Sequence, residues 1–122
     1  MISKSDAVTS IFGYWPEFAD ARLTSFNYSA DGTVALDLFY IDASAGKGAA
    51  VSLSFTGVRD IDLSGLASEN VLNRLSIAEG NPLLVTLDPC IGLGGSFTCT
   101  VATVTGVVPN NSVRSFPSTP GA

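Results

Sequence analysis

The chain has 122 residues, 46% of them apolar, and a formal net charge of −5, which suits one compact, mildly acidic domain that we place at residues 1–109. It contains no His, so Ser-His and Cys-His catalysis is excluded, and no motif indicates a cofactor or a metal site. The Lys and Arg residues are scattered, and neither an export leader nor an apolar run of ~20 residues is seen, so we expect a cytoplasmic protein that binds neither nucleic acid nor membranes.

An aromatic-rich segment opens the chain. Residues 5–13 are predicted to form a short helix with Val8, Ile11 and Phe12 facing inward. Residues 11–21 hold four of the chain's eleven aromatic residues, including its one Trp. Because aromatic side chains supply much of the energy of small cores and of binding hot spots, this segment is predicted to serve one or both purposes.

Tyr14, Trp15 and Phe18 have two interpretations. In the first, Trp15 and Phe18 close one end of a sheet as part of the core. In the second, some of the three rings stay partly exposed and anchor a partner. Asp20, directly before the first predicted strand, caps a turn, pairs with Arg22 or contacts the partner.

Alternating apolar and polar residues predict three consecutive antiparallel strands. The first covers residues 21–28 and leads through the turn at Asp31-Gly32 into a second strand over residues 33–41. A third strand follows over residues 51–56. The inner face of the second strand is predicted to carry its apolar residues Val34, Leu36, Leu38 and Tyr40.

The second half of the domain is predicted to combine a helix with further strands. Apolar residues within 64–77 recur at helical spacing, which predicts one short helix there. Residues 83–87 and 97–108 are β-prone, and we expect them to pair through the turn at Gly92–Gly95. Pro, Asn, Ser, Thr and Gly dominate residues 110–122, which are expected to form a flexible tail.

Together these elements predict an α+β fold that is mostly β. We expect an antiparallel meander sheet of five or six strands, or a partly open barrel, with one or two short helices. Cys90 and Cys99 flank the glycine-rich turn and are suitably placed for a disulfide across a hairpin, whereas the expected reducing compartment favours free thiols. The sequence leaves both states of the two cysteines open.

Asp60 and Asp62 are one residue apart, which predicts that both lie on the same face of a strand. Paired carboxylates occur in glycosidases, but neither Asp sits in an apolar run that raises a carboxyl pKa. We interpret them as a solvated strand face, with Arg59 or Arg74 compensating the charge. As exposed acids they join the candidate partner-binding residues.

Four segments stand out by their order and spacing: Phe12–Ala21, Phe55–Ile61, Glu69–Val71, and Gly92 with Gly95–Cys99. Together they resemble the immunity-protein-50 family of bacterial polymorphic toxin systems, over roughly residues 11–109. The family pattern has a His between the Phe and the Asp of its opening motif, where this chain has Ala19. Any contact made by that His is therefore absent here.

The resemblance implies a small cytoplasmic protein, encoded beside a toxin, that neutralises the toxin by binding and catalyses no reaction. An acidic surface with aromatic anchors suits a toxin with a basic face, such as a nuclease. Two alternatives stay open. One is a β-barrel or sheet-and-helix pocket for a small apolar ligand, which an enclosed apolar cavity would favour; the other is an interaction module that forms a homodimer through a sheet edge.

Overall fold

The computed structural model describes residues 2–109, and the predicted tail at 110–122 lies outside this range. The described residues form nine strands and one short helix. In chain order these are β1 (Ile2–Ser3), α1 (Asp6–Phe12), β2 (Ala21–Ser29), β3 (Thr33–Asp42), β4 (Lys47–Thr56), β5 (Arg59–Ser64), β6 (Val71–Ala78), β7 (Leu83–Ile91), β8 (Gly94–Cys99) and β9 (Val101–Pro109). The predicted α+β, mostly β class is confirmed, with nine strands instead of five or six.

The nine strands belong to one mixed sheet in the order β1-β9-β4-β3-β2-β6-β7-β8-β5. β2 and β6 are joined by only two residue pairs. The sheet therefore divides at this point into two halves, one made of β1, β9, β4, β3 and β2 and the other of β6, β7, β8 and β5. The rings of Phe55 on β4 and Phe97 on β8 meet edge to face, with centroids 5.2 Å apart. The two halves therefore fold over each other around one core, while β1 and β5 remain open edges and no barrel closes.

The core lies between the two halves and is built from the inward face of each strand. The predicted inner residues of β3, Val34, Leu36, Leu38 and Tyr40, are all buried. Helix α1 adds Val8 and Phe12 to the same cluster, with Ile11 packed at its margin. The N-terminal helix and its inward face are thus confirmed.

The helix predicted within residues 64–77 is wrong, because residues 71–78 form strand β6. The register of β6 against β7 shifts once on each side of Leu72. These bulges let Leu72 and Leu75, three residues apart, both face the core, whereas a regular strand alternates every two residues. The spacing that indicated a helix is therefore that of a bulged strand.

The β-prone stretch 97–108 is divided at Thr100, where the chain passes from one half of the sheet to the other. The backbone N–H and the Oγ1 hydroxyl of Thr100 both donate to the carbonyl of Thr56, at 2.9 and 3.1 Å. Gly57 has φ +65, and a Cβ there would overlap the Thr100 side chain. This corner therefore requires glycine at position 57.

Both cysteines are free thiols. β7 and β8 pair as predicted, and this register sets Cys99 opposite Leu83, at the start of β7, while Cys90 lies near the end of β7. Cys90 is exposed and Cys99 is buried. Burial raises the pKa of the Cys99 thiol, so Cys90 is the accessible and more reactive of the two.

Candidate partner-binding surface

The loop between α1 and β2, residues 13–20, carries four of the six candidate contact residues. It is fixed at both ends. Gly13 terminates the helix in the left-handed conformation, and its N–H donates to the Thr9 carbonyl at 2.7 Å. At the other end Phe18 is fully buried, and the N–H of buried Ala21 donates to the Phe18 carbonyl at 3.1 Å. The loop is therefore a firm platform for the side chains it displays.

The aromatic rings of this loop are shared between core and surface. Phe18 is packed edge to face against Trp15 and Tyr40, with centroids 5.6 and 5.4 Å apart. Trp15 is partly buried, and Tyr14 is 44% exposed. Phe18 is therefore a core residue, as the first interpretation predicts, while Tyr14 and the outer edge of Trp15 are accessible. That these two rings anchor a partner stays a prediction.

The Tyr14 hydroxyl is the centre of a hydrogen-bond chain at the end of β3. It donates to Asp42 Oδ2 at 2.7 Å, and the Tyr40 hydroxyl, 3.2 Å away, donates to Tyr14 in turn. The Ala45 N–H donates to Asp42 Oδ1 at 3.2 Å. The bonds to Tyr40 and Asp42 raise the pKa of Tyr14 well above its usual range, and the Tyr14 bond, followed by that of Ala45, lowers the pKa of Asp42. Asp42 is therefore an oriented carboxylate at neutral pH.

Asp20 lies at a surface pocket of about 360 Å³ whose lining comprises Asp20, Arg22, Phe39, Ile41 and Ala43. Phe39 and Ile41 belong to the outer face of β3, since they alternate with its buried residues. Arg22 pairs with Glu69 at 2.8 Å, and not with Asp20 as one prediction had it. The pocket therefore combines apolar walls with a carboxylate.

Asp60 and Asp62 lie outside this loop, on edge strand β5. The N–H of Val58, just before β5, donates to the carbonyl of Gly32 in the β2–β3 turn. That turn is at the opposite end of β3 from Asp42, a strand length of roughly 30 Å away. Asp60, near the start of β5, is therefore far from the loop 13–20, whereas Asp62 lines a depression with Pro89, next to Cys90, whose Sγ lies 4.0 Å from Asp20 Oδ1.

The expected pairing of Asp60 and Asp62 on one strand face is not found. The register of β5 shifts between Arg59 and Asp62, and Asp60 has φ +54, so a bulge interrupts the alternation. Both side chains are exposed, as predicted. Arg74, one of the two expected compensating cations, instead pairs with Glu17 at 3.6 Å.

Sequence reasoning missed Asp42, Phe39 and Ile41. For Phe39 and Ile41 a signal was present, because two large apolar residues on the outer face of a half-buried strand are unusual. Phe39 also stands in a cross-strand row with Ala50 and Val108, which is 66% exposed. Asp42 meets Tyr14 across 28 positions of sequence, and no local pattern indicates that contact.

A surface depression of about 550 Å³ lies on the outer face of β6, β7 and β8. It is open to solvent, and its lining mixes polar residues such as Arg74 and Asp88 with apolar ones such as Leu84 and Pro89. It is thus not the enclosed apolar cavity expected of a ligand carrier. Within residues 2–109, no three acidic or Cys side chains gather as a metal site, and no helix is long and apolar enough to cross a bilayer.

Tyr and Trp side chains such as those displayed on this loop are enriched at protein–protein interfaces. The sequence model of the family described as Immunity protein 50 matches residues 4–110. The chain belongs to this family, which confirms the resemblance of the four segments. No curated protein and no solved structure gives a significant match.

Several residues of the four segments hold the fold together. Asn70 Oδ1 accepts hydrogen bonds from the N–H groups of Ala67 and Leu93 at 3.0 and 2.9 Å, and Asn70 Nδ2 donates to the Ala67 carbonyl at 2.8 Å. Gly92 packs so closely on Asn70 that no Cβ fits there. The residues that these segments share with the family therefore serve mainly to stabilise the fold, and they carry little information about the partner.

Proposed function

We propose that this protein is a non-enzymatic immunity protein that binds and neutralises a cognate bacterial toxin domain in the cytoplasm. The observation that carries the proposal is membership of the Immunity protein 50 family over residues 4–110. The chemistry of the chain supports it, because the lack of His removes the usual catalytic bases. Binding, and not turnover, is then the means of neutralisation.

We place the main contact at the loop 13–20 and the adjoining end of β3. Tyr14 and Trp15 supply aromatic surface that loses little conformational entropy on binding, because both are held by Phe18, Tyr40 and the hydrogen-bond chain. Asp20 and Asp42 supply negative charge beside them. Asp60 and Asp62 make a second acidic region on β5, which suits a more peripheral contact.

The charge of the protein favours a toxin with a basic face. With a net charge of −5, the protein attracts such a partner over distances of about one Debye length, which speeds association. Aromatic anchors at the centre of an interface then slow dissociation. A nucleic-acid-degrading toxin has the basic surface that this arrangement fits.

Co-expression with the toxin domain encoded beside this gene tests the proposal. Wild-type protein should restore growth and co-purify with the toxin in a 1:1 complex. Tyr14→Ala should weaken binding while the protein stays folded. Leu84→Ala is the matched control, because Leu84 is 43% exposed and Tyr14 44%, but Leu84 lies on the other half of the sheet.

If the wild-type protein does not bind the toxin, the proposed function is wrong. If Tyr14→Ala and Leu84→Ala weaken toxin binding equally, the contact does not lie at the loop 13–20. Light scattering of the purified protein measures its oligomeric state and so tests the alternative of a homodimerising module. A stable homodimer that ignores the toxin would identify an assembly module instead.

A further inference from the structure

We infer that the pocket at Asp20 receives an arginine side chain of the toxin. The inference rests on the proposed function and adds the chemistry of the contact. The pocket has one rim carboxylate, an aromatic ring and two aliphatic side chains, from Asp20, Phe39, Ile41 and Ala43, with Arg22 completing the lining.

The charges around the pocket leave Asp20 as its free charge. Arg22 is the single cation of the lining, and its guanidinium is bonded to Glu69 at 2.8 Å. Among residues 2–109, Asp20 takes part in neither of the two ion pairs, and the one side chain that donates to it is the Cys90 thiol, a weak donor whose Sγ lies 4.0 Å from Oδ1. The pocket can therefore bind an incoming cation through the Asp20 carboxylate. It is a poor site for an anion, because the charge of Arg22 is already compensated by Glu69.

The side chains that line the pocket favour Arg over Lys as the occupant. Its volume of about 360 Å³ equals the share of about a dozen water molecules, which is room for one long side chain. A guanidinium is planar and weakly hydrated, so it stacks on an aromatic face such as that of Phe39 and still bonds a carboxylate at its edge. An ammonium is more compact and more strongly hydrated and makes the ring contact less well.

The backbone around Asp20 keeps this arrangement in place before binding. Asp20 lies between Phe18 and Ala21, both fully buried, and Ala21 is paired with β6. Phe39 is held in the middle of the sheet, opposite Arg22 on β2 and Ala50 on β4. A partner side chain therefore meets a preformed site, and little ordering is left to oppose binding.

The test measures the affinity of the full chain for the toxin domain encoded beside its gene, by calorimetry, with wild type, Asp20→Asn and Phe39→Leu. Asp20→Asn should weaken binding about 30-fold or more, as expected of a buried charge pair at a hot spot. Phe39→Leu keeps an apolar wall and removes the ring, and should weaken binding about two- to fivefold. Asp31→Asn is the control for a general loss of negative charge, because exposed Asp31 lies in the β2–β3 turn, at the opposite end of β3 from the pocket. Its affinity should stay within about twofold of wild type.

The toxin side of the contact is identified by replacing its surface arginines one at a time with Lys. One Arg→Lys replacement should weaken binding to the wild type but have little further effect on Asp20→Asn, because the two changes remove the same contact. Binding of Asp20→Asn and Phe39→Leu within about twofold of wild type would overturn the inference and leave the proposed function intact. An equal loss with Asp31→Asn would also overturn it, while failure of the wild type to bind the toxin would remove the proposed function itself.

Discussion

The Asn70 side chain joins two loops, and we predict that its removal destabilises the fold. Its amide makes three hydrogen bonds, two with Ala67 and one with Leu93. These bonds connect the loop before β6 to the β7–β8 turn, next to the point where the two halves of the sheet meet. The Asn70 carbonyl also accepts from the Leu23 N–H at 2.8 Å, so the effect should extend to β2.

The magnitude follows from the bonds that each replacement removes. At about 1 kcal/mol net for each hydrogen bond, Asn70→Ala should lower the free energy of unfolding by about 2–3 kcal/mol. Asn70→Asp keeps the acceptor oxygen and loses only the donor to Ala67, so about 1–2 kcal/mol is expected. Asn73→Ala is the control, since exposed Asn73 makes one side-chain bond, to Asp88 at 2.9 Å, and should cost less than about 1 kcal/mol.

Urea denaturation measures these differences, with fluorescence of the single Trp15 and circular dichroism as two probes of the same transition. Toxin affinity should be unchanged for all three variants, because Asn70 is outside the proposed contact surface. The reasoning is refuted if Asn70→Ala and Asn73→Ala lower the stability equally.

Three further predictions concern the corner, the hydrogen-bond chain and the thiols. Gly57→Ala should destabilise the fold by about 2–3 kcal/mol, and Gly46→Ala by only about 1 kcal/mol. Both glycines have φ near +65, but only Gly57 abuts Thr100, so equal losses in urea denaturation would contradict the packing argument. Tyr14→Phe should raise the pKa of Asp42 toward its usual value in an NMR titration, because the Tyr14 bond is the first cause of its lowering. A carboxyl with a lowered folded pKa stabilises the fold above its unfolded pKa and loses this effect as the pH falls through its folded pKa, so Tyr14→Phe should show a smaller loss of stability on acidification. A thiol reagent should modify Cys90 in the native protein and Cys99 only after unfolding; equal labelling rates would contradict the burial of Cys99.

The strands that sequence predicted well are those whose alternation is regular. β3 has one buried and one outer face along its whole length, so the period of two is visible in residues 33–41. β6 is bulged, and its buried leucines fall three apart, which is also the spacing of a helix. β1 has two residues, too few to show any period.

The part of the candidate surface that could be predicted from the sequence is the part whose residues are neighbours in the chain. Tyr14, Trp15 and Asp20 are close in sequence, so their local density is visible in the chain. The contact of Tyr14 with Tyr40 and Asp42 depends on how α1 and its loop pack across the end of β3. Such a contact is a product of tertiary packing, and one sequence gives no sign of it.

The affinity of the purified protein for the toxin domain encoded beside its gene tests the central claim most directly. We predict a 1:1 complex with a nanomolar Kd that weakens as salt is added, because opposite charges contribute to the contact, together with loss of toxin activity in the complex. The absence of binding at micromolar concentrations of both proteins, with toxin activity unaffected, would contradict the account.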